Sequence, residues 1–221
     1  MAARLYPDPP HLSATVYVEN RPETEVFAEL CGVVEAAGGT ATGDADDTRT
    51  GFDVPRVGLV VVARLHGADG DRAPVAIITY ADDLGVPDEL WSASERTAAY
   101  RLGAWAHDVF RAACLATDPL YGELAVENTL STPRALGESG DRIGDVYVSD
   151  RLLAADDRLG ARLREAYDGG AVEEWEGGLY ASAWRYLNTA DRSATDGWKV
   201  SDTTVALLTR AVTKAGLRPY D

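Results

Sequence analysis

The sequence predicts an α+β protein, and three observations carry that prediction. The stretch Trp91–Asn128 reads as one long amphipathic helix, a hard stop and one strand. The run GLVVVARL within residues 56–65 and the run at residues 73–80 are rich in β-branched residues and nearly continuous, as buried strands are. Helical and strand signals follow one another in the order β-α-β-β-α-β over residues 12–128. That order is the ferredoxin-like split βαβ arrangement. The rest of the chain adds further strands and two helices.

Residues 1–11 hold Pro7, Pro9 and Pro10 and read as an extended arm. Residues 12–221 then form a single α+β domain, with a subdivision near 129–144 left open. Ser13–Glu19 is a strand with Ala14, Val16 and Val18 on one face. Pro22 sits well at the first position of a helix carrying Val26, Phe27, Leu30, Cys31 and Val34, which Gly38-Gly39 closes. Residues 40–53, centred on GDADDTRTG, are polar and acidic and read as a mobile loop; they lack the spacing and terminal glutamate of a calcium loop. HGADGDR at 66–72 is turn chemistry between the two buried strands.

The long helix opens with Ser92 and Glu95 in capping-box spacing. Leu102, Trp105, Ala106, Val109, Phe110 and Ala113 then recur at helical intervals and make one apolar stripe. Burying its four largest members contributes on the order of 10 kcal/mol before entropy. Asp118-Pro119 ends the helix, because proline disfavours helical backbone at the residue before it. A strand follows at 120–126. After a glycine-rich loop comes a short strand at 145–148. A helix then carries Leu152, Leu153, Leu159, Leu163 and Tyr167, a hairpin turns at Gly177-Gly178, and a last helix carries Val205, Leu208 and Val212. No residue-level repeat links the halves, so the second half is expected to extend the same sheet.

The charge balance narrows the function. The chain has 21 basic and 36 acidic residues, a net charge of −15. Such a surface repels phosphate backbones and anionic membranes, so neither nucleic acid nor a membrane is an expected partner. A basic protein partner, a divalent cation or a high-salt habitat fits it. Lys199 and Lys214 are the only lysines, which fits a GC-rich bacterial coding sequence or a halophile. Cys31 and Cys114 lie on or beside apolar helix faces and are expected as reduced thiols. The N-terminal residues lack a signal-peptide pattern and no window approaches a membrane span, which points to the cytoplasm.

Catalytic motifs are thin. His11, His66 and His107 have no metal spacing, and there is no phosphate loop or nucleophile elbow. No cofactor is expected. Asp82, Asp83, Glu123 and Glu127 fall at strand ends and give the alternative reading of a metal-dependent enzyme using Mg²⁺ or Ca²⁺; a solvated acidic face is the favoured reading of them, since 36 acidic residues make such groupings expected. The aromatic residues are more pointed. EEWEGGLYASAWRY sets Trp175, Tyr180 and Trp184 among Glu173, Glu174 and Glu176. Rings supply buried contact and carboxylates steer encounter, so these six residues are the expected partner-binding surface. The competing reading puts the rings in the core of a C-terminal layer.

Trp91 opening a helix, Glu95-Arg96 soon after and Asp118-Pro119 closing it resemble the immunity proteins of bacterial polymorphic-toxin systems, the immunity protein 52 group. Tyr121-Gly122 and the following GELAVEN depart from that pattern. The resemblance implies a cytoplasmic protein, not an enzyme, that neutralises a cognate toxin by tight non-covalent binding, with no catalytic residues. A structural or assembly component of a phage or contractile particle is the other non-enzymatic reading.

Overall fold

The structure, a computed structural model, describes residues 10–67, 71–81, 93–126, 130–139, 145–167, 171–182 and 202–216. Nine strands form one antiparallel sheet: β1 (His11–Tyr17), β2 (Thr40–Asp46), β3 (Arg49–Val54), β4 (Gly58–Arg64), β5 (Val75–Tyr80), β6 (Tyr121–Val126), β7 (Asp145–Ser149), β8 (Ala171–Trp175) and β9 (Gly178–Ser182). Their order across the sheet is β2-β3-β4-β5-β1-β6-β7-β9-β8. The central four, β4-β5-β1-β6, have the split βαβ order: β1 lies between β5 and β6 and is antiparallel to both. β7, β9 and β8 continue the same sheet beyond β6, as expected of the second half.

Two helices, α1 (Glu23–Ala36) and α2 (Ala93–Thr117), cover one face. The predicted stripe of α2 meets the sheet there: Ala106, Val109, Phe110 and Ala113 are buried beside Leu12, Ala14, Val16, Val62, Ile77 and Leu124. Asp118 ends α2 in a left-handed conformation, φ 45°. Its amide donates to the Cys114 carbonyl, and Arg151 donates to its carboxylate at 2.9 Å. Both cysteines are free; Cys114 is buried, and that burial pushes its thiol well above the ordinary range.

Four helices, α3 (Pro133–Ser139), α4 (Asp150–Ala155), α5 (Leu159–Ala166) and α6 (Asp202–Gly216), pack on the opposite face behind β6, β7 and β9. Leu152, Leu159, Leu163 and Tyr167 are buried there with Val146, Val148, Leu179, Leu208 and Val212. The single helix expected across 150–167 is broken in two. Ser149 caps α4 by accepting from the Leu152 amide, and Asp156 is extended. The Asp156 carboxylate accepts from the Arg158 amide and guanidinium, which hold it at about 2, and Arg210 of α6 lies 3.5 Å away.

The expected mobile loop at 40–53 is a hairpin. Asp46 organises its turn, accepting from the amide and hydroxyl of Thr48 and from the Arg49 amide, and these bonds lower its carboxyl to about 2. Phe52 and Val54 face the core, and the register shifts between Ala41 and Ala45 around Gly43, φ 85°. Among the described residues no helix is long and apolar enough to cross a membrane.

Gly38 (φ 93°) closes α1, a conformation that suits glycine. Gly32 is different. It lies mid-helix and exposed, and a Cβ built there meets nothing within 4 Å. Glycine inside a helix costs about 1 kcal/mol relative to alanine. Gly32→Ala is therefore expected to stabilise the protein by about that amount in urea denaturation; a destabilised variant would refute the open geometry.

Candidate partner-binding site

Five of the six predicted surface residues, Glu173, Glu174, Trp175, Glu176 and Tyr180, lie on the β8–β9 hairpin, at one end of the sheet. β9 pairs with β7 and β8 pairs with β9, so among the described strands β8 is an edge. Gly177 adopts φ 82° in the tight turn. Side chains alternate along a strand. Glu173 and Trp175 therefore share the face that Tyr180 and Ser182 occupy on β9 and Tyr147 occupies on β7. That face is the one covered by α2.

This alternation decides where the rings go. Trp175 is 7% exposed and Tyr180 1%, so both belong to the core, as the competing sequence reading had it. They stack 4.3 Å apart at 13°. Tyr147 stacks on Trp175 from β7 at 5.9 Å. His107 and Phe110 of α2 meet both rings edge-on at 5.4 to 6.0 Å. Phe110 reaches this position because Gly122 leaves room: a Cβ there would lie 3.1 Å from its ring. Arg111 sets its guanidinium 5.9 Å from the centre of the Trp175 ring.

The polar groups of this cluster lock the hairpin to α2 and β7. Trp175 donates its indole N–H to Glu173 at 2.8 Å, and His107 Nε2 lies 3.4 Å from the same carboxylate oxygen. His107 Nδ1 is 3.5 Å from Asp108. Asp145, 1% exposed, accepts from the Tyr180 hydroxyl at 2.7 Å and the Ser182 hydroxyl at 2.5 Å. Burial also pushes the Tyr147 hydroxyl up. Solvent meets the carboxylates unevenly. Glu174 points to the other face, pairs with Arg164 at 2.8 Å and is 80% exposed; Glu173 is 36% exposed, and Glu176 lies exposed at the turn. Trp184 lies outside the described residues.

The structure thus separates the five described members of the predicted six into two roles. Glu173, Glu174 and Glu176 form an acidic margin. Trp175 and Tyr180 form the packed support beneath it. His107, Asp145 and Tyr147 complete that support and were not among the predicted partner-binding residues; the sequence sets Asp145 only with the strand-end carboxylates. Alternation alone connects Asp145 with Tyr147, and Tyr180 with Ser182; the signal for His107 is its place one turn before Phe110 and Arg111.

Of the four carboxylates of the alternative enzyme reading, Glu123 lies among the described residues. Asp82, Asp83 and Glu127 lie outside the described residues. Glu123 is buried opposite Thr15 and Val146, on the side of α3–α6, whereas Asp145 is opposite Leu124, on the side of α2. The described residues contain no group of three or more His, Cys, Asp or Glu side chains placed to hold a metal ion.

No family model matches the chain. No curated protein matches it either. Among solved structures, the Pseudomonas aeruginosa T6SS protein PA0821 is a distant structural neighbour. It is 13% identical, over 93% of this chain and 72% of that one, with a TM-score of 0.40.

Proposed function

We propose that this protein is a non-enzymatic, immunity-type inhibitor that acts in the cytoplasm and docks a basic cognate toxin on the acidic margin of the β8–β9 hairpin. The observation that carries this reading is the union of a carboxylate margin with a closely packed aromatic support. Glu173, Glu174 and Glu176 follow one another along a hairpin whose rings are stacked under α2. A rigid margin loses little conformational freedom when a partner arrives. Its charge draws a basic surface into encounter, and the net −15 of the chain adds to that field.

The test uses the intact chain as bait in its native host, followed by calorimetry with the captured protein. The expected result is one stoichiometric basic partner that dissociates at high salt. Glu174→Arg combined with Glu176→Arg should weaken it by about tenfold or more, since each reversal replaces attraction by repulsion. Trp175 is left intact because it belongs to the core. An unchanged affinity in the double variant, or capture of virion components in place of a basic protein, would overturn the reading.

A further inference from the structure

We infer that the groove between α1 and α2 receives an α-helix of the same basic partner, apolar along one face and flanked by lysine or arginine. The inference rests on the inhibitor reading and names the element that the partner would bring.

The groove is an open surface depression of about 450 Å³ between the two helices. Gly32, Val33 and Ala36 line it from α1, and Val109, Ala112 and Ala116 from α2. These are short side chains, so a third helix axis can come close, and the shape is that of a helix-in-groove site. Leu115, three residues beyond Ala112 on α2, is 60% exposed. Leu115 and Tyr80 are the exposed large hydrophobic residues among those described.

Gly32 adds an observation of a different kind. A helix-weakening residue occupies a position where this chain's own atoms leave open space around any Cβ. Nothing in the fold described here uses the missing side chain. A neighbouring backbone from outside would use it.

Charge selects the occupant. The charged residues lining the groove are Glu29 and Asp108, both carboxylates. Arg21 pairs with Glu29 at 2.6 Å, while the Asp108 side chain is 83% exposed. α1 carries Glu23, Glu25, Glu29 and Glu35 and no lysine or arginine. α1 has no basic residue in its last turn, so the negative end of its dipole is uncompensated by its own side chains, whereas Arg151 already pairs with Asp118 at the end of α2. A second copy of this chain would bring the same carboxylates together and is disfavoured, as is an anionic membrane. α2 lies between the groove and the hairpin: Val109, Ala112 and Ala116 line the groove, and His107 and Arg111, on another side of the same helix, meet Trp175. One basic partner can therefore span both surfaces.

The test titrates the ¹⁵N-labelled full chain with a designed helical peptide that has leucine and alanine along one face and lysine on both flanks. A second peptide has glutamate flanks. The lysine peptide should shift the amides of Gly32, Ala36 and Ala112 and bind about tenfold or more tightly than the glutamate peptide. Gly32→Tyr fills the groove and should weaken the lysine peptide by about tenfold or more without lowering the melting temperature. Ala112→Lys, exposed on α2, is a second variant expected to do the same. Equal binding of the two peptides, shifts confined to other surfaces, or undiminished binding by a folded Gly32→Tyr or Ala112→Lys would overturn the inference. The hairpin double reversal should leave peptide binding unchanged. If it abolishes binding of the native partner while the groove variants do not, the hairpin reading stands and the groove reading falls.

Discussion

Replacing Trp175 by alanine is expected to remove about 3–5 kcal/mol of stability, the usual cost of emptying a large aromatic site. The ring is nearly enclosed, stacks on Tyr180 and Tyr147, and meets His107 and Phe110 edge-on. No small rearrangement fills that volume, because the ring joins three strands and α2. The substitution also leaves Glu173 without its indole donor. Urea denaturation followed by circular dichroism measures the loss without relying on the deleted fluorophore. A loss under about 1 kcal/mol would show that the cluster is loosely packed and that the hairpin is not held as described.

Gly178→Ala is expected to cost about 3 kcal/mol, at the upper end for forcing atoms into a filled site. A methyl group at this position would lie inside contact distance of the Val148 carbonyl oxygen and 2.8 Å from the Tyr147 ring. Neither neighbour is the loose end of a flexible side chain. Val148 lies within the β7–β9 ladder, and Tyr147 is fixed beneath Trp175. The clash therefore falls on the pairing of β9 with β7. Thermal unfolding should show a clearly lowered midpoint, and amide exchange should quicken first in β8 and β9. A wild-type midpoint would mean that the two strands can separate freely.

The sequence reported most of the first half because its signals are local. The stripe of α2, the β-branched runs of β4 and β5 and the Gly38-Gly39 stop each depend on neighbours a few positions away. Where the reading departed from the structure, distant or side-chain effects decided. The hairpin at 40–53 looked like a loop because its ordering agent is the Asp46 carboxylate, which substitutes for apolar content at the turn. The helix at 150–167 looked continuous because Leu152, Leu159 and Leu163 keep helical spacing across the break at Asp156. For the candidate site, the sequence offered both a surface and a core place for the rings, and did not name the helix that covers them. Which face of an edge hairpin lies under a helix depends on the placement of α2, whose residues precede Trp175 by more than fifty positions.

The position of β1 in the middle of the sheet has a consequence for synthesis. Ala14 lies opposite both Ile77 and Leu124. β1 thus finds its neighbours only after long stretches of chain have followed it. Closing such loops costs chain entropy, and nonlocal pairing of this kind slows folding. Until β6 has emerged, one long side of β1 offers unpaired amides and carbonyls to any other extended chain. A cell making this protein quickly must shield that strand in the interval, so its yield as a native molecule depends on elongation rate and chaperone supply as well as on final stability.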